Sequence, residues 1–295
     1  MHGPLLWPLA VKAITRLFWH LRARLGRAVD LGGFGLQHLV YLGQPSFSRQ
    51  IQRRKQRWST QGRPAGLAHL ANKEKGQAFA RLHDIPVPDR YGLLDKITDL
   101  PEIADLEPAF VLKPTASYSS RNVFLVRNGC DLLTGQPIDR ADILQRIGQD
   151  SREKFVLEEL LTDQNGRVGA PLDYKFYCFG EKIVLLHVYE RNSTLDPRQN
   201  RIWFLDRSFR PVRMRVRKHV RQEPGLPPRP ENYAAMLELV QRIGRLHQAF
   251  VRIDVYATPR GAVLGEFTPF PFSGRGLTRR ADVFLGRHWV GEEGC

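Results

Sequence analysis

Cysteine is scarce in this chain of 295 residues. Its three cysteines, Cys130, Cys178 and Cys295, lie far apart and form no Cys-x-x-Cys pair. Neither a disulfide framework nor a cysteine-bound zinc site is therefore indicated. A reducing compartment, the cytoplasm, is the expected location.

Long apolar runs are also missing. The apolar residues of the first segment are interrupted by Lys12 and Arg16, and no run approaches the ~20 residues that a membrane-spanning helix needs. The order typical of a cleavable signal peptide is absent as well: a short basic start, an apolar block and a small-residue exit. We therefore expect neither a spanning helix nor a cleaved leader.

Acidic residues are scarce in the first 60 positions, where ten lysines and arginines stand against one acid, Asp30. Much of the net charge of +15 is therefore concentrated there. We predict a basic helical extension over residues 1–65. It either lies on an anionic membrane surface, at the inner face of the membrane, or packs its apolar side on the domain. Nucleic acid is not expected as a partner, because no recognition motif accompanies the charge.

The remaining composition, 42% hydrophobic and 25% charged, is typical of a folded soluble protein. A chain of this length can form one large domain or two or three subdomains. We predict a helical region over 66–108 and strand-rich regions over 109–162 and 163–295. Helices are expected around Leu67–Leu82 and over Glu231–Phe250, which has helical apolar spacing. A hairpin is expected around Gly180-Glu181-Lys182, formed by Tyr174–Phe179 and Ile183–Tyr189. Antiparallel hairpins with segregated helices indicate the α+β class.

The segment Phe250–Gly274 carries the strongest chemical signal. Two apolar runs flank a Pro-Arg-Gly turn, which predicts a β-hairpin. Arg252 and Asp254 alternate on the first strand, and Glu266 and Thr268 lie on the second. Oxygen ligands gathered from two paired strands suit Mg²⁺, which usually also holds nucleotide phosphates. The alternative is an ordinary hairpin with a surface Arg–Asp pair and an edge glutamate.

A second signal follows the strand that ends at Lys113. The loop Thr115–Arg121 supplies hydroxyl groups, including Ser119 and Ser120, and backbone N–H groups. These can donate to phosphate oxygens while Lys113 neutralises charge. The loop contains no glycine, which weakens this interpretation. The alternative is a surface turn whose lysine reaches the solvent.

A third signal is an acidic strand end before a glycine-containing loop, formed by Glu158, Glu159, Leu160 and Leu161. Backbone groups at such a strand end can hydrogen-bond a base, and a carboxylate can accept from an amino group or a ribose hydroxyl. Asp173 and Lys175 open the next strand with the same side-chain direction, where they can contact a ribose and a phosphate. The alternatives are a solvated strand end and a simple Asp173–Lys175 pair.

Basic and apolar residues alternate from Val212 to Arg217, which predicts an extended strand. Arg213, Arg215 and Arg217 would then share one face and attract a carboxylate, uronate or phosphate-bearing ligand. The alternative is an edge strand whose charges prevent aggregation.

The order of these motifs resembles that of the ATP-grasp superfamily, and most of all the TupA-like family of teichuronopeptide biosynthesis. The shared features are Asn72-Lys73, Ile85-Pro86-Val87-Pro88, the Val-Leu-Lys-Pro strand end, Glu158-Glu159, Arg252-Ile253-Asp254 and Gly265-Glu266-Phe267-Thr268. The resemblance spans about Asn72–Gly276, and Thr268 stands where relatives have asparagine. It says nothing about residues 1–65.

The resemblance implies two α+β lobes whose antiparallel sheets enclose ATP. The small lobe, with the phosphate loop, would span 109–162, and the large lobe, with the magnesium site, 163–295. The implied site residues are Lys73 and Lys113 for the phosphates, Glu158 to Leu161 for adenine, Asp173 for the ribose, Asp254, Glu266 and Thr268 for Mg²⁺, and Arg252 for the charge on the transferring phosphoryl group.

The resemblance also implies an ATP- and Mg²⁺-dependent ligase. A carboxylate would attack the γ-phosphorus of ATP, and an amine would then displace phosphate from the acyl phosphate to form an amide. The family context points to an amino acid or a uronic acid of a surface polysaccharide or other secondary product. Two alternatives stay open: a kinase on the same scaffold that phosphorylates a small molecule or sugar, and a degenerate nucleotide-binding scaffold, which the glycine-free loop and Thr268 favour.

Overall fold

The computed structural model describes residues 43–116, 122–164, 170–193 and 196–295. The basic segment 1–42, with the membrane contact expected of it, lies outside these ranges. Within them, no helix is both long and apolar enough to cross a bilayer. The described residues form two antiparallel sheets and the helices that cover them.

The first sheet has six strands in the order β1-β6-β2-β3-β4-β5. They are β1 (Arg90–Leu94), β2 (Ala109–Pro114), β3 (Phe124–Arg127), β4 (Cys130–Asp131), β5 (Gln136–Pro137) and β6 (Phe155–Glu159). All neighbouring pairs are antiparallel. Strand β1 joins the sheet from the region expected to be helical, so this lobe begins before residue 109. Its core contains Phe110, Leu112 and Phe155.

The second sheet has five antiparallel strands in the order β11-β10-β7-β8-β9. They are β7 (Asp173–Phe179), β8 (Lys182–Glu190), β9 (Arg201–Leu205), β10 (Phe250–Thr258) and β11 (Gly261–Thr268). Both hairpins expected from the sequence, β7–β8 and β10–β11, are present. Together the two sheets and their helices give the predicted α+β class.

In the described part of the chain, the α-helices are α1 (Phe47–Gln61), α2 (Lys73–Leu82), α3 (Arg140–Ile147), α4 (Tyr233–His247) and α5 (Arg279–Gly286). The short 3₁₀ segments there are Ala65–Ala71, Ile97–Asp99, Ile103–Asp105, Pro197–Gln199 and Pro271–Gly274. The helix expected around Leu67–Leu82 is divided at Asn72. The Asn72 side chain accepts a hydrogen bond from the backbone N–H of Lys75, 2.9 Å away. This N-cap starts a new helix at Lys73.

Helix α1 belongs to the large lobe rather than to a separate extension. Its buried side chains recur at helical spacing, at Phe47, Ile51, Arg54 and Trp58. The Phe47 ring meets that of Phe250 edge-on, with centroids 4.8 Å apart. The boundary expected after residue 65 is corrected by this packing, since one compact unit runs from Pro45 to Cys295.

One face of the second sheet is divided between core and cleft. Its aromatic end, with Tyr177, Phe179 and Phe250, packs under α1 and α5. Farther along the same strands and on the same face, the side chains become charged, as at Lys175 and Arg252. The opposite face is apolar and packs on α4. This division places the charged groups beneath the first sheet.

The extended strand expected over Val212–Arg217 does not form. Among the described residues, the segment makes one isolated bridge, at Arg217, and another lies just before it, at Pro211. The Arg215 side chain donates to the carbonyls of Arg217 and Lys218, at 3.0 and 2.6 Å. The backbone bends at 213 and 214, so the segment does not run as a regular strand.

Candidate active site

A cleft of about 370 Å³ lies between the two sheets and is called here the inter-sheet cleft. Strands β2, β3 and β6 line it from one side, and β7, β8, β10 and β11 from the other. It brings together the predicted residues Lys73, Lys113, Glu158, Glu159, Leu160, Leu161, Asp173, Lys175, Arg252, Asp254 and Glu266. Thr268 lines a neighbouring cavity instead.

A β-bulge determines which way Glu266 points. Asp254 pairs with Glu266, but the next residue, Val255, pairs with Leu264, so that Gly265 is the extra residue of β11. A regular strand would place positions 264 and 266 on one face. With the bulge, Leu264 is buried in the core while Glu266 lines the cleft. The two carboxylates therefore meet across adjacent strands.

Arg252 and Asp254 form a two-pronged ion pair at the floor of the cleft. Arg252 Nε and Nη2 donate to the two Asp254 oxygens at 2.7 and 2.6 Å. Nη2 also donates to the hydroxyl of Thr268 at 2.9 Å. Burial lowers the Arg252 pKa, but the Asp254 carboxylate outweighs it and the pKa is raised. The guanidinium is thus a fixed positive charge with little freedom to turn.

Lys175 extends this network along β7. Its Nζ lies 2.8 Å from Asp254 Oδ2 and 3.1 Å from Asp173 Oδ2. Arg191 lies 3.6 Å from the same Asp173 oxygen. Burial opposes ionisation of Asp173, but Lys175 and Arg191 outweigh it and lower its pKa. Asp173 and Lys175 do pair with each other, and both also line the cleft.

Glu266 is held more loosely than Asp254. Its side chain is 36% exposed, against 1% for Asp254, and its ion pairs are long, 3.6 Å to Arg252 and 3.8 Å to Lys73. Burial opposes its ionisation, but Lys73 and Arg252 outweigh it and lower the pKa. Glu266 is therefore an ionised carboxylate with oxygens free to take another ligand.

These residues fit a small hard cation. In the part of the chain that the structure describes, no group of three or more His, Cys, Asp or Glu residues gathers as a metal site. Mg²⁺ commonly uses one or two carboxylates and takes its other oxygens from phosphates and water. Glu266 meets that need with its own oxygens, and Asp254 lies opposite it across the strand pair, although its oxygens are already bonded to Arg252 and Lys175. The Thr268 hydroxyl, 3.4 Å from Glu266 Oε1, is a weaker third oxygen.

The opposite wall of the cleft comes from the first sheet. Lys113 donates to Glu158 Oε1, and Gln77 donates to the other oxygen at 2.7 Å. Leu160 and Leu161 line the cleft too and are largely buried. This wall joins an apolar surface to a partly neutralised lysine, which suits a flat ring that carries phosphates.

Glu159 has a different role from its neighbour. Its carboxylate accepts from the backbone N–H of Asp89 at 3.1 Å and from Arg260 Nη2 at 2.5 Å. Because Arg260 lies in the β10–β11 turn, this pair ties the first sheet to the second. Ser119 and Ser120 lie outside the described residues.

The predicted arginine stripe is not a single face, and none of its three members lines the inter-sheet cleft. Arg213 and Arg215 are exposed. The Arg217 guanidinium instead lies over the ring of Phe272, 3.5 Å from its centroid. The correction follows from the missing strand, since the two-residue period holds only in extended backbone.

Sequence reasoning missed several cleft residues, namely His187, Tyr189, Arg191, Tyr256 and Phe272. His187 pairs with Lys175 across the β7–β8 hairpin, so the predicted turn at Gly180 could have placed it. Phe272 carried no such signal, because its backbone has a positive φ of 51° inside an irregular turn.

The chain is similar to a known family and to several solved structures. The model of the TupA-like ATP-grasp family matches residues 83–290. No curated protein matches the chain. Among solved structures, D-alanine–D-alanine ligase from Helicobacter pylori is 15% identical, with a TM-score of 0.45, over 78% of this chain and 65% of its own. A RimK domain ATP-grasp protein from Sphaerobacter thermophilus is 17% identical, with a TM-score of 0.41, over 82% and 76%.

The ATP-grasp ligase PsnB, complexed with a minimal precursor, is 16% identical with a TM-score of 0.40. The aligned region covers 78% of this chain and 65% of that one. The chain thus spans just under two thirds of the length of the Helicobacter pylori ligase.

Proposed function

Because the chain belongs to the TupA-like ATP-grasp family, we propose that it is an ATP- and Mg²⁺-dependent ligase that joins a carboxylate to an amine. The observation that carries this proposal is the pair of carboxylates, Asp254 and Glu266, that the bulge brings together in a cleft lined by cations. Phosphoryl transfer asks a protein chiefly for positioning and charge compensation. The cleft offers both.

The proposed nucleotide position follows from the two walls. Adenine lies against Leu160 and Leu161 and bonds to the backbone at the end of β6. The ribose reaches Asp173, and the phosphates run toward Lys73 and Lys113. A volume of about 370 Å³ is within the range of small-ligand sites.

The reaction has two steps. In the first, a carboxylate oxygen of the acid bonds to the γ-phosphorus of ATP, and the bond from that phosphorus to the β–γ bridging oxygen breaks, which releases ADP. In the second, an amine bonds to the acyl carbon, and phosphate leaves with the former carboxylate oxygen. The amine gives up a proton as the amide forms.

The protein's part is to hold charge where it develops. Arg252 is fixed by Asp254 and needs no reorganisation when negative charge grows on the transferring group. Lys73 and Lys113 line the same cleft. Bound by Glu266 and Asp254, Mg²⁺ would supply further neutralisation of phosphate charge.

We propose an amino acid or a uronic acid as the carboxylate, within surface polysaccharide or secondary-product biosynthesis in the cytoplasm. The test is a screen of such acids for ADP and phosphate release with ATP, Mg²⁺ and candidate amines. Release that needs both an acid and an amine supports the ligase. A stable phosphorylated product formed without an amine would indicate a kinase. Nucleotide binding without any turnover would indicate a degenerate scaffold.

A further inference from the structure

A second cavity adjoins the inter-sheet cleft. Its volume is about 440 Å³, and we call it the α1 cavity. It shares five lining residues with the cleft: Lys73, Arg252, Gly265, Glu266 and Phe272. These include Glu266, proposed to hold Mg²⁺, and Arg252, proposed to face the transferring phosphoryl group. A molecule in the α1 cavity would therefore meet the nucleotide at its reacting end.

The far wall of the α1 cavity comes from the last turns of α1 and the segment after it. Lys55, Trp58 and Arg63 supply its charged and aromatic surface. All three precede residue 83, where the match to the family begins. This wall is therefore a feature of the present chain beyond the matched residues, and it can set the choice of substrate.

The wall carries positive charge without its own counterions. In the described ranges, no carboxylate pairs with Lys55 or Arg63, whereas Arg57 on the same helix is paired with Glu293. The Arg63 guanidinium lies 5.4 Å from the ring centroid of Trp58, and its buried Nε has no hydrogen-bond partner there. Stacking on Trp58 limits the motion of this side chain, which keeps a desolvated donor in the cavity wall.

The charges define the ligand. Four cations line the α1 cavity, namely Lys55, Arg63, Lys73 and Arg252, against one carboxylate, Glu266. Arg252 is already engaged by Asp254 and Lys73 faces Glu266, which leaves the wall of Lys55 and Arg63 for the ligand. An ammonium group at that wall would meet like charge, whereas an anion would meet complementary charge.

We propose that the α1 cavity binds the acid substrate and that Lys55 and Arg63 form a distal subsite for a second anionic group on that acid. The group is a carboxylate or a phosphate, the two anions that an arginine fork and a lysine recognise. The first carboxylate lies toward Arg252 for activation. This inference rests on the proposed ligase function and adds the class of its acid.

The test measures binding, so that it does not depend on turnover. The protein is saturated with a non-hydrolysable ATP analogue and Mg²⁺ and titrated calorimetrically with matched pairs: L-glutamate against L-glutamine, and O-phospho-L-serine against L-serine. A charge-assisted contact makes at least one anionic member bind about tenfold tighter than its neutral partner. The two pairs separate a carboxylate subsite from a phosphate subsite.

Variants assign the effect to the wall. Arg63→Gln and Lys55→Gln each remove about tenfold of affinity for the preferred anionic member and leave the neutral member and the nucleotide unchanged. Arg53→Gln, on an exposed face of the same helix, is the control and has no effect. Three results would overturn the subsite. The two members of each pair could bind equally, none of the compounds could bind at millimolar concentration, or all three variants could lose the same affinity.

Turnover with the same compounds separates the two proposals. If the anionic member binds selectively but releases no ADP from ATP with any amine, the subsite stands and the ligase proposal fails. If ADP is released from acids that carry one charge as efficiently as from those that carry two, the ligase proposal stands and the subsite fails.

Discussion

At the scale of single residues, the site depends on groups fixed by their neighbours before any ligand arrives. Arg252 is an example, because Asp254 holds its guanidinium with two short bonds and Thr268 with a third. Glu266 is the opposite case, with only long ion pairs and a side chain open to the cleft. Arg252 therefore provides a positive charge in a fixed position, and Glu266 provides a carboxylate that is free to coordinate a metal ion.

Arg252→Lys tests the rigid charge. A lysine keeps the charge but cannot make the two parallel bonds to Asp254. We expect kcat for acid-dependent ADP release to fall about 100-fold, the scale of losing one preorganised donor. Steady-state assays check this, with the exposed Arg213→Lys as control. A kcat within a factor of two of the wild-type value would contradict the role given to Arg252.

Glu266→Gln tests whether the Glu266 carboxylate coordinates a metal ion. The amide keeps the size but loses the charge that a divalent ion needs, so ADP release should fall about 100-fold or more. The thermal midpoint should stay close to that of the wild type, because the ion pairs of Glu266 are long. Glu238→Gln, an exposed change on α4, is the matched control. Full activity at ordinary Mg²⁺ concentration would argue against a metal at this position.

At the scale of elements, the bulge in β11 decides the chemistry of the site. A Cβ on Gly265 would lie 2.6 Å from the Tyr256 ring, closer than packed atoms allow. We expect Gly265→Ala to lower the free energy of unfolding by about 1–3 kcal/mol, as overpacking does, and to raise the KM for ATP. Denaturant titration and kinetics measure both.

The matched control for this prediction is Gly92→Ala. It is also a strand glycine, but the nearest atom to its added Cβ is 3.9 Å away. The two variants therefore differ in crowding and share the change in backbone freedom. Equal stability and equal KM in both would show that the bulge tolerates a side chain.

Helix α1 is attached to the large lobe through a buried arginine. Arg54 donates to the carbonyls of Phe250, at 2.9 Å, and of Pro269, and it has no exposed surface. Arg54→Met would leave these carbonyls unpaired, and we expect a loss of about 3–5 kcal/mol of stability. Urea titration measures it against Arg53→Met, an exposed change that should cost almost nothing. A loss below 1 kcal/mol would show that water replaces the arginine.

The sequence predicted those elements whose signals are local. Alternating apolar residues around Pro259 and Gly180 indicated both hairpins, and Arg252, Asp254 and Glu266 were placed in one site. The bulge at Gly265 was not predicted, because a glycine inside a strand can mark a bulge, a tight bend or a close backbone approach, and the sequence alone does not separate these. The strand expected over Val212–Arg217 failed because alternation cannot reveal whether a partner edge is available.

At the scale of the whole molecule, two histidines with buried ring nitrogens make the free energy of unfolding depend on pH. His69 and His247 lie together, with ring centroids 4.7 Å apart, between α2, α4 and Phe267 of β11. Burial, and for His69 the neighbouring His247, lowers their pKa values to about 3 and about 4. An unfolded histidine titrates near 6.5, so the unfolded state takes up protons first as the pH falls.

The expected result is a free energy of unfolding that is fully present above pH 6.5 and falls as the pH drops toward 4. In His69→Phe this fall should be shallower, because phenylalanine does not titrate. The His69 ring stacks on Phe79 and its Nε2 has no partner in the described residues, so a phenylalanine ring can take its place. Denaturant titrations at several pH values measure the slope. The exposed His219→Gln should leave it unchanged. An unaltered slope in His69→Phe would place the pH dependence elsewhere.

The most direct measurement follows oxygen from the acid into phosphate. An acid that releases ADP in the screen is labelled with ¹⁸O in its carboxylate and incubated with ATP, Mg²⁺ and the amine, and the phosphate is analysed by mass spectrometry. An acyl phosphate intermediate predicts one labelled oxygen in each phosphate formed. Unlabelled phosphate, or label retained in a stable phosphorylated acid, would contradict the ligase account.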